Sequence, residues 1–248
     1  MTKKKLNTQR TARLAERGNV LFVILLAIVL IGALTIAIQG SNDADSANID
    51  DESLAIKTTE VQRFASEVER GVNYILQNGI SENDLRFSHP KNHSDYGDLS
   101  ADGTPEDQVF HKDGGAANYR TVPSDINDGS AWEFYGSTSA PNVGSARADM
   151  LIVLPNVTQQ FCEWVNKLNG QTGDQPEDTG STAPSANNAG ACVSPGAVAR
   201  FRDAKQFYST ANTMDTTTFS KLPAKQACVE CTDMTGSPYM FYHVVLAR

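Results

Sequence analysis

Four cysteines, Cys162, Cys192, Cys228 and Cys231, are the residues of this chain best suited to covalent chemistry. Cys228-Val-Glu-Cys231 has the CxxC spacing of a thiol–disulfide redox motif or of half a zinc site. No βαβ pattern surrounds it, which speaks against the redox reading. No second CxxC or HxxxH pair completes four zinc ligands. Structural disulfides are the remaining reading, and it depends on the compartment. Four cysteines permit three pairings, and spacing does not choose among them.

Other residues with ligand chemistry are more scattered. His89, His93 and Asp95 are metal-ligand types, but Pro90 between the histidines spoils an i,i+4 helical pair, and the stretch reads as solvated loop. Asp98-x-Ser100-x-Asp102-Gly103 matches the opening of a calcium loop. The closing bidentate Glu would fall at Val109, so the EF-hand reading fails. Asp98, Asp102, Glu106 and Asp107 remain as weak candidates for an irregular calcium site, against the reading of an ordinary acidic surface. His111 beside Lys112-Asp113-Gly114 reads as a turn, and His243 among tyrosines as packing. The chain has no GxSxG, GxxxxGK[ST], HExxH or GxGxxG. No catalytic residues, cofactor or enzyme activity are predicted.

What must position these residues begins at the membrane. Val20 to Ile38 is nineteen residues without a charge, broken only by Gly32 and Thr35. As a helix it reaches roughly 28 Å, about the hydrocarbon thickness of a bilayer. In front of it, residues 1–18 carry six basic residues against Glu16, a net of +5, which leaves −13 for residues 19–248 of the formal total of −8. Positive residues favour the cytoplasmic side, so the N-terminus is predicted inside and the C-terminal body exported. An acidic exported body argues against nucleic acid as a partner. All four cysteines fall on the exported side, where disulfides persist.

Arg17-Gly18-Asn19 followed at once by the apolar run resembles the type IV pilin and type II secretion pseudopilin superfamily. The resemblance covers roughly residues 13–40. It implies that a prepilin peptidase cuts after Gly18, that Asn19 becomes the first mature residue and is methylated, and that the apolar helix sits in a bacterial inner membrane, with the C-terminal domain periplasmic, and assembles with other pilin or pseudopilin subunits. It also implies an amphipathic helix packed on a small antiparallel β-sheet. Most members have Glu as the fifth residue after the cut, and this chain has Val23, which points away from a repeated subunit and toward a minor, tip-located one. Small residues Ala27, Gly32, Ala33 and Ala37 allow close helix approach. Tight-adherence pilins also begin with RGNV-like stretches, but usually carry an early acid that this run lacks. The alternative is an uncleaved single-pass envelope protein with an exported binding domain.

The domain reading follows in order: basic leader 1–18, transmembrane or assembly helix 19–39, acidic linker 40–52, and an exported α+β domain 53–248. Val61, Phe64, Ala65, Val68, Val72 and Ile75 form one helical face, and Asn78-Gly79 stops the helix. Glu60 with Arg63 and Glu67 with Arg70 are i,i+3 pairs on its solvated side. Residues 131–136 and 148–154 are strand candidates, and Asn156 caps a helix over 157–168. Residues 170–190 are a low-complexity loop, the segment 197–208 has no clear period, and the tail from Pro238 is a strand.

Overall fold

The structure is a computed structural model. It describes residues 16–89, 96–97, 103–123, 125–178, 192–196, 199–202, 207–209, 211–231 and 238–248; within the first helix, side chains are described for residues 22–32 and from 51 onward. His93, Asp95, Asp98, Asp102 and most of the 170–190 loop therefore lie outside the described residues. The chain divides into two compact units, Met1–Ser53 and Leu54–Arg248.

The first helix, α1, runs Glu16–Gln77. Its backbone includes residues 40–52, assigned above to a linker. In the first unit the described side chains from Phe22 to Ile31 are exposed. Among the described residues no helix is long and apolar enough to cross a membrane.

In the second unit α1 buries the stripe its period predicts. Val61, Phe64, Ala65, Val68, Val72 and Ile75 are all buried. They pack with Trp132, Phe134, Ile152, Leu154 and Phe241 in one core. Burial of each large apolar side chain contributes about 1.5–3 kcal/mol, which explains why a helix of modest intrinsic propensity is fixed there. Gly79, at φ +89°, ends the helix as the sequence suggests. Glu67 does not serve its helical neighbour. It accepts from Arg120 at 3.0 Å and from the Asn118 amide at 2.8 Å, joining α1 to the following loop.

That loop closes on itself at Gly114 and Gly115, and Gly115 also meets the backbone of Gly71 on α1. A Cβ on Gly114 would stand 2.1 Å from the carbonyl oxygen of Gln108, and one on Gly115 2.6 Å from that of Val109. Both obstacles are backbone, so no rotamer change relieves them. Gly114→Ala is expected to lower stability by about 1–3 kcal/mol, measured as a fall in the urea midpoint. Gly103→Ala, where a Cβ meets nothing within 4 Å, is the control and should change little.

The sheet contains β1 (Glu133–Ser139), β2 (Asp149–Leu154), β3 (Asn212–Thr213), β4 (Gln226–Glu230) and β5 (Tyr239–Leu246). Their spatial order is β3-β1-β2-β5-β4. β1/β2, β2/β5 and β5/β4 are antiparallel, as expected, but β3 runs parallel to β1. The sheet is therefore mixed, which corrects the all-antiparallel expectation. Physically, the chain crosses back to the open edge of β1 before laying β3 along it. The fold is α+β.

The tail strand β5 sits in the sheet interior, consistent with its aromatic and β-branched composition. β2 is buried on both faces, so it reads as a continuous apolar run. One face meets α1 and α2 (Gln159–Leu168). The other is covered by Val193, Ala199, Tyr208, Met214 and Phe219 from the connecting segments.

α2 starts two residues later than the sequence suggests. Thr158, not Asn156, caps it, accepting at Oγ1 from the Phe161 amide. The Val157 amide instead donates to the Tyr239 carbonyl at 3.0 Å, and Asn156 turns the chain at φ +54°. Sheet pairing holds Val157 out of the helix.

The exposed edge of β4 is closed by α2 side chains. Asn166 donates through Nδ2 to the Cys228 carbonyl at 2.9 Å and accepts at Oδ1 from the Cys228 amide at 2.8 Å, as a neighbouring strand would. Beyond it, the Glu230 amide donates to the Pro176 carbonyl and the Asp178 amide to the Glu230 carbonyl.

Candidate functional site

Gly18 and Asn19 lie in the α1 backbone, within the first turn from its start at Glu16. No side-chain geometry is described there. The cysteines are resolved into Cys162–Cys228, joining α2 to β4, and Cys192–Cys231, joining the segment after the low-complexity loop to the end of β4. Cys228 and Cys231 are three residues apart at a strand end, so they face opposite sides. Cys228 belongs to the core under α1, and Cys231 to the opposite core. The CxxC spacing thus makes two separate staples rather than a redox pair or half a metal site.

Of the acidic candidates, Glu106 and Asp107 are among the described residues. Glu106 and Asp107 form a short 3-10 turn, Pro105–Asp107, with Glu106 exposed and Asp107 buried. Asp107 accepts at Oδ2 from the Thr104 hydroxyl at 3.0 Å. A cleft of about 560 Å³ runs past Gly79, Ser81, Asp84, Arg86, Glu106 and Asp107. Among the described residues no three His, Cys, Asp or Glu side chains are grouped to hold a metal ion. His89 stacks on Tyr119, ring centroids 4.7 Å apart, and meets Phe110 edge-on. It is part of an aromatic cluster, not a free ring in a solvated loop. His111 accepts from the Asp113 amide at 3.2 Å, closing the predicted turn.

Two polar clusters tie segments far apart in sequence, and neither is visible as a motif. The first gathers on Glu133 of β1. Its Oε1 accepts from Arg200 Nη2 at 2.6 Å, while Oε2 accepts from the Tyr135 hydroxyl at 2.6 Å and the Ser194 hydroxyl at 2.7 Å. The Glu133 and Arg200 side chains are only 12% and 11% exposed. Burial and the adjacent carboxylate push the Tyr135 phenol well above its ordinary value. Burial pulls Arg200 down, but its bond to Glu133 more than offsets this and holds the guanidinium charged. The Ser194 hydroxyl proton is committed to the Glu133 carboxylate, which ties the segment down. The cluster docks Ser194 and Arg200 on β1, alongside the Phe201 amide bond to the Phe134 carbonyl at 2.7 Å.

The second cluster joins α1 to the sheet. Glu69 takes Lys225 Nζ at 2.6 Å on one oxygen and His243 Nε2 at 2.8 Å on the other. His243 is a buried link, whereas the sequence suggests only packing. A polar residue at a period-2 position facing an otherwise apolar face is the signal that points to such a link, but its partner lies 174 residues away.

These features define an α+β domain whose two-sided mixed sheet is stapled on each face by one disulfide. No protein-family model matches the chain, and neither the curated proteins nor the solved structures contain a match.

Proposed function

We propose that the chain is a pilin-like or minor pseudopilin structural subunit of an envelope filament or secretion apparatus, processed after Gly18. Prepilin peptidase, the inner membrane and other pilin or pseudopilin subunits are its partners in this reading. The observation that carries it is the apolar surface of α1. Phe22, Val23, Ile24, Leu25, Leu26, Ile28, Val29, Leu30 and Ile31 are each 50–66% exposed. Successive positions of a helix point in all directions, so this surface is apolar all round and requires lipid or neighbouring helices to cover it. The basic stretch before it orients the helix, and the disulfides of the second unit suit an exported, oxidising compartment. The packing of the amphipathic half of α1 on the sheet supports the same plan. Val23, where most family members have Glu, favours an initiating or tip position.

N-terminal sequencing and intact mass of the protein extracted from membranes test this. The expected chain starts at Asn19 with one added methyl group, and a substitution at Gly18 blocks both processing and assembly. A chain that keeps the leader would make α1 a permanent single-pass anchor of an envelope binding protein. A start beyond Gly40 would overturn both readings.

A further inference from the structure

His243 lies on β5 between Phe241 and Val245, and strand alternation turns it to the face that α1 covers. Its side chain is 7% exposed. Nε2 lies 2.8 Å from Oε2 of Glu69, and Nδ1 lies 3.1 Å from Oε1 of Gln226, its cross-strand neighbour on β4. Two further bonds fix what Gln226 offers. Asn169 donates through Nδ2 to the backbone carbonyl of Gln226 at 3.1 Å, so its Oδ1 accepts from Gln226 Nε2, also at 3.1 Å. The oxygen of the Gln226 amide is thereby turned toward the imidazole. Both ring nitrogens face acceptors.

A neutral imidazole has a single N–H, so one of these contacts sets lone pair against lone pair unless the amides turn over. An imidazolium serves both acceptors, but it buries a second cation against a carboxylate that Lys225 already holds at 2.6 Å. Neither protonation state satisfies every group, so proton occupancy selects between two arrangements. We propose that this joint is a proton-operated switch, in which proton uptake by His243 reorients the Gln226 and Asn169 amides and changes how α1 is held against β4 and β5. Glu69 on α1 and Lys225 in the turn before β4 are the charged groups that face the ring. β2 presents Ile152 and the end of α2 the neutral Asn169.

Burial pushes His243 below its ordinary value of 6.5; Glu69 offsets part of this, and Lys225 adds to it. Burial pushes Glu69 up, but its bonds to Lys225 and His243 outweigh that, so its carboxyl sits below the ordinary range and stays ionised in the same window. Because the folded-state value of His243 is depressed, the unfolded chain takes up the proton first as pH falls. The stability contributed by the neutral ring is complete above the unfolded value and is lost as pH falls through the folded one.

The test is an NMR titration of the intact chain in detergent between pH 7.5 and 4.5, following the His243 ring and the Gln226 and Asn169 side-chain amides. The expected result is one shared midpoint below 6.5. Lys225→Met removes an exposed cation and should raise that midpoint by about half a pH unit. Urea midpoints should fall with acid more steeply in the native chain than in His243→Gln. Amide signals that stay fixed while the ring titrates would overturn the proposal, as would a midpoint that Lys225→Met leaves unmoved. The lysine variant decides the matter even if His243→Gln fails to fold.

Discussion

Replacing Cys162 and Cys228 together with alanine is expected to lower the unfolding free energy of the Leu54–Arg248 unit by about 4 kcal/mol. The bridge closes a loop with a sequence separation of 66, so without it the unfolded chain regains a large share of its conformational freedom. That loss is a sizeable part of the 5–15 kcal/mol typical of a whole domain. Both cysteines are fully buried, one on the inner face of α2 and one on β4, so their removal also leaves a small void under α1. Urea unfolding of the oxidised native chain against the double variant measures the effect. Cys192→Ala with Cys231→Ala, whose loop has a separation of 39, should lose nearly as much. Thiol-specific reagents should report no reactive cysteine in the folded native chain. A change below about 1 kcal/mol in both double variants would mean that the bridges do not support the fold.

Glu133→Ala is expected to cost about 3–5 kcal/mol, because it leaves a buried guanidinium without its carboxylate. The same substitution removes the acceptor shared by Tyr135 and Ser194, so two further hydroxyls lose their partner. The damage should be local. Amide exchange at Phe201 and Tyr208, which bond the carbonyls of Phe134 and Gly136, should speed up more than exchange in β5. Glu133→Leu combined with Arg200→Met separates the ion pair from the space it fills, since apolar replacement of both partners of a buried pair is often neutral. The double variant should be more stable than Glu133→Ala alone. If Glu133→Ala unfolds at the same urea midpoint as the native chain, the cluster does not dock Ser194 and Arg200 on β1.

Local pattern in the sequence determined a good deal of this protein. The buried stripe from Val61 to Ile75 follows from the helical period, because each of those residues has to leave water on the same face. β2 and β5 follow from runs of β-branched and aromatic residues too short for a helix, and Gly79 from the need for a positive φ at a helix end. The charge contrast between residues 1–18 and the remainder is a property of composition and needs no fold.

Tertiary structure decided the pairings. Four cysteines allow three connectivities, and only the placement of β4 between the two cores sends Cys228 to Cys162 and Cys231 to Cys192. Asn156 has the chemistry of a helix cap, yet the bond from the Val157 amide to Tyr239 claims the next residue for the sheet. β3 runs parallel because of where the chain crosses over, which no local period encodes. Arg200 and His243 find their carboxylates across separations of 67 and 174 residues. Spacing along the chain records which face a side chain takes, because that is set by backbone dihedrals within one element. What stands opposite that face is set by the packing of elements far apart in sequence, and both polar clusters exist only there.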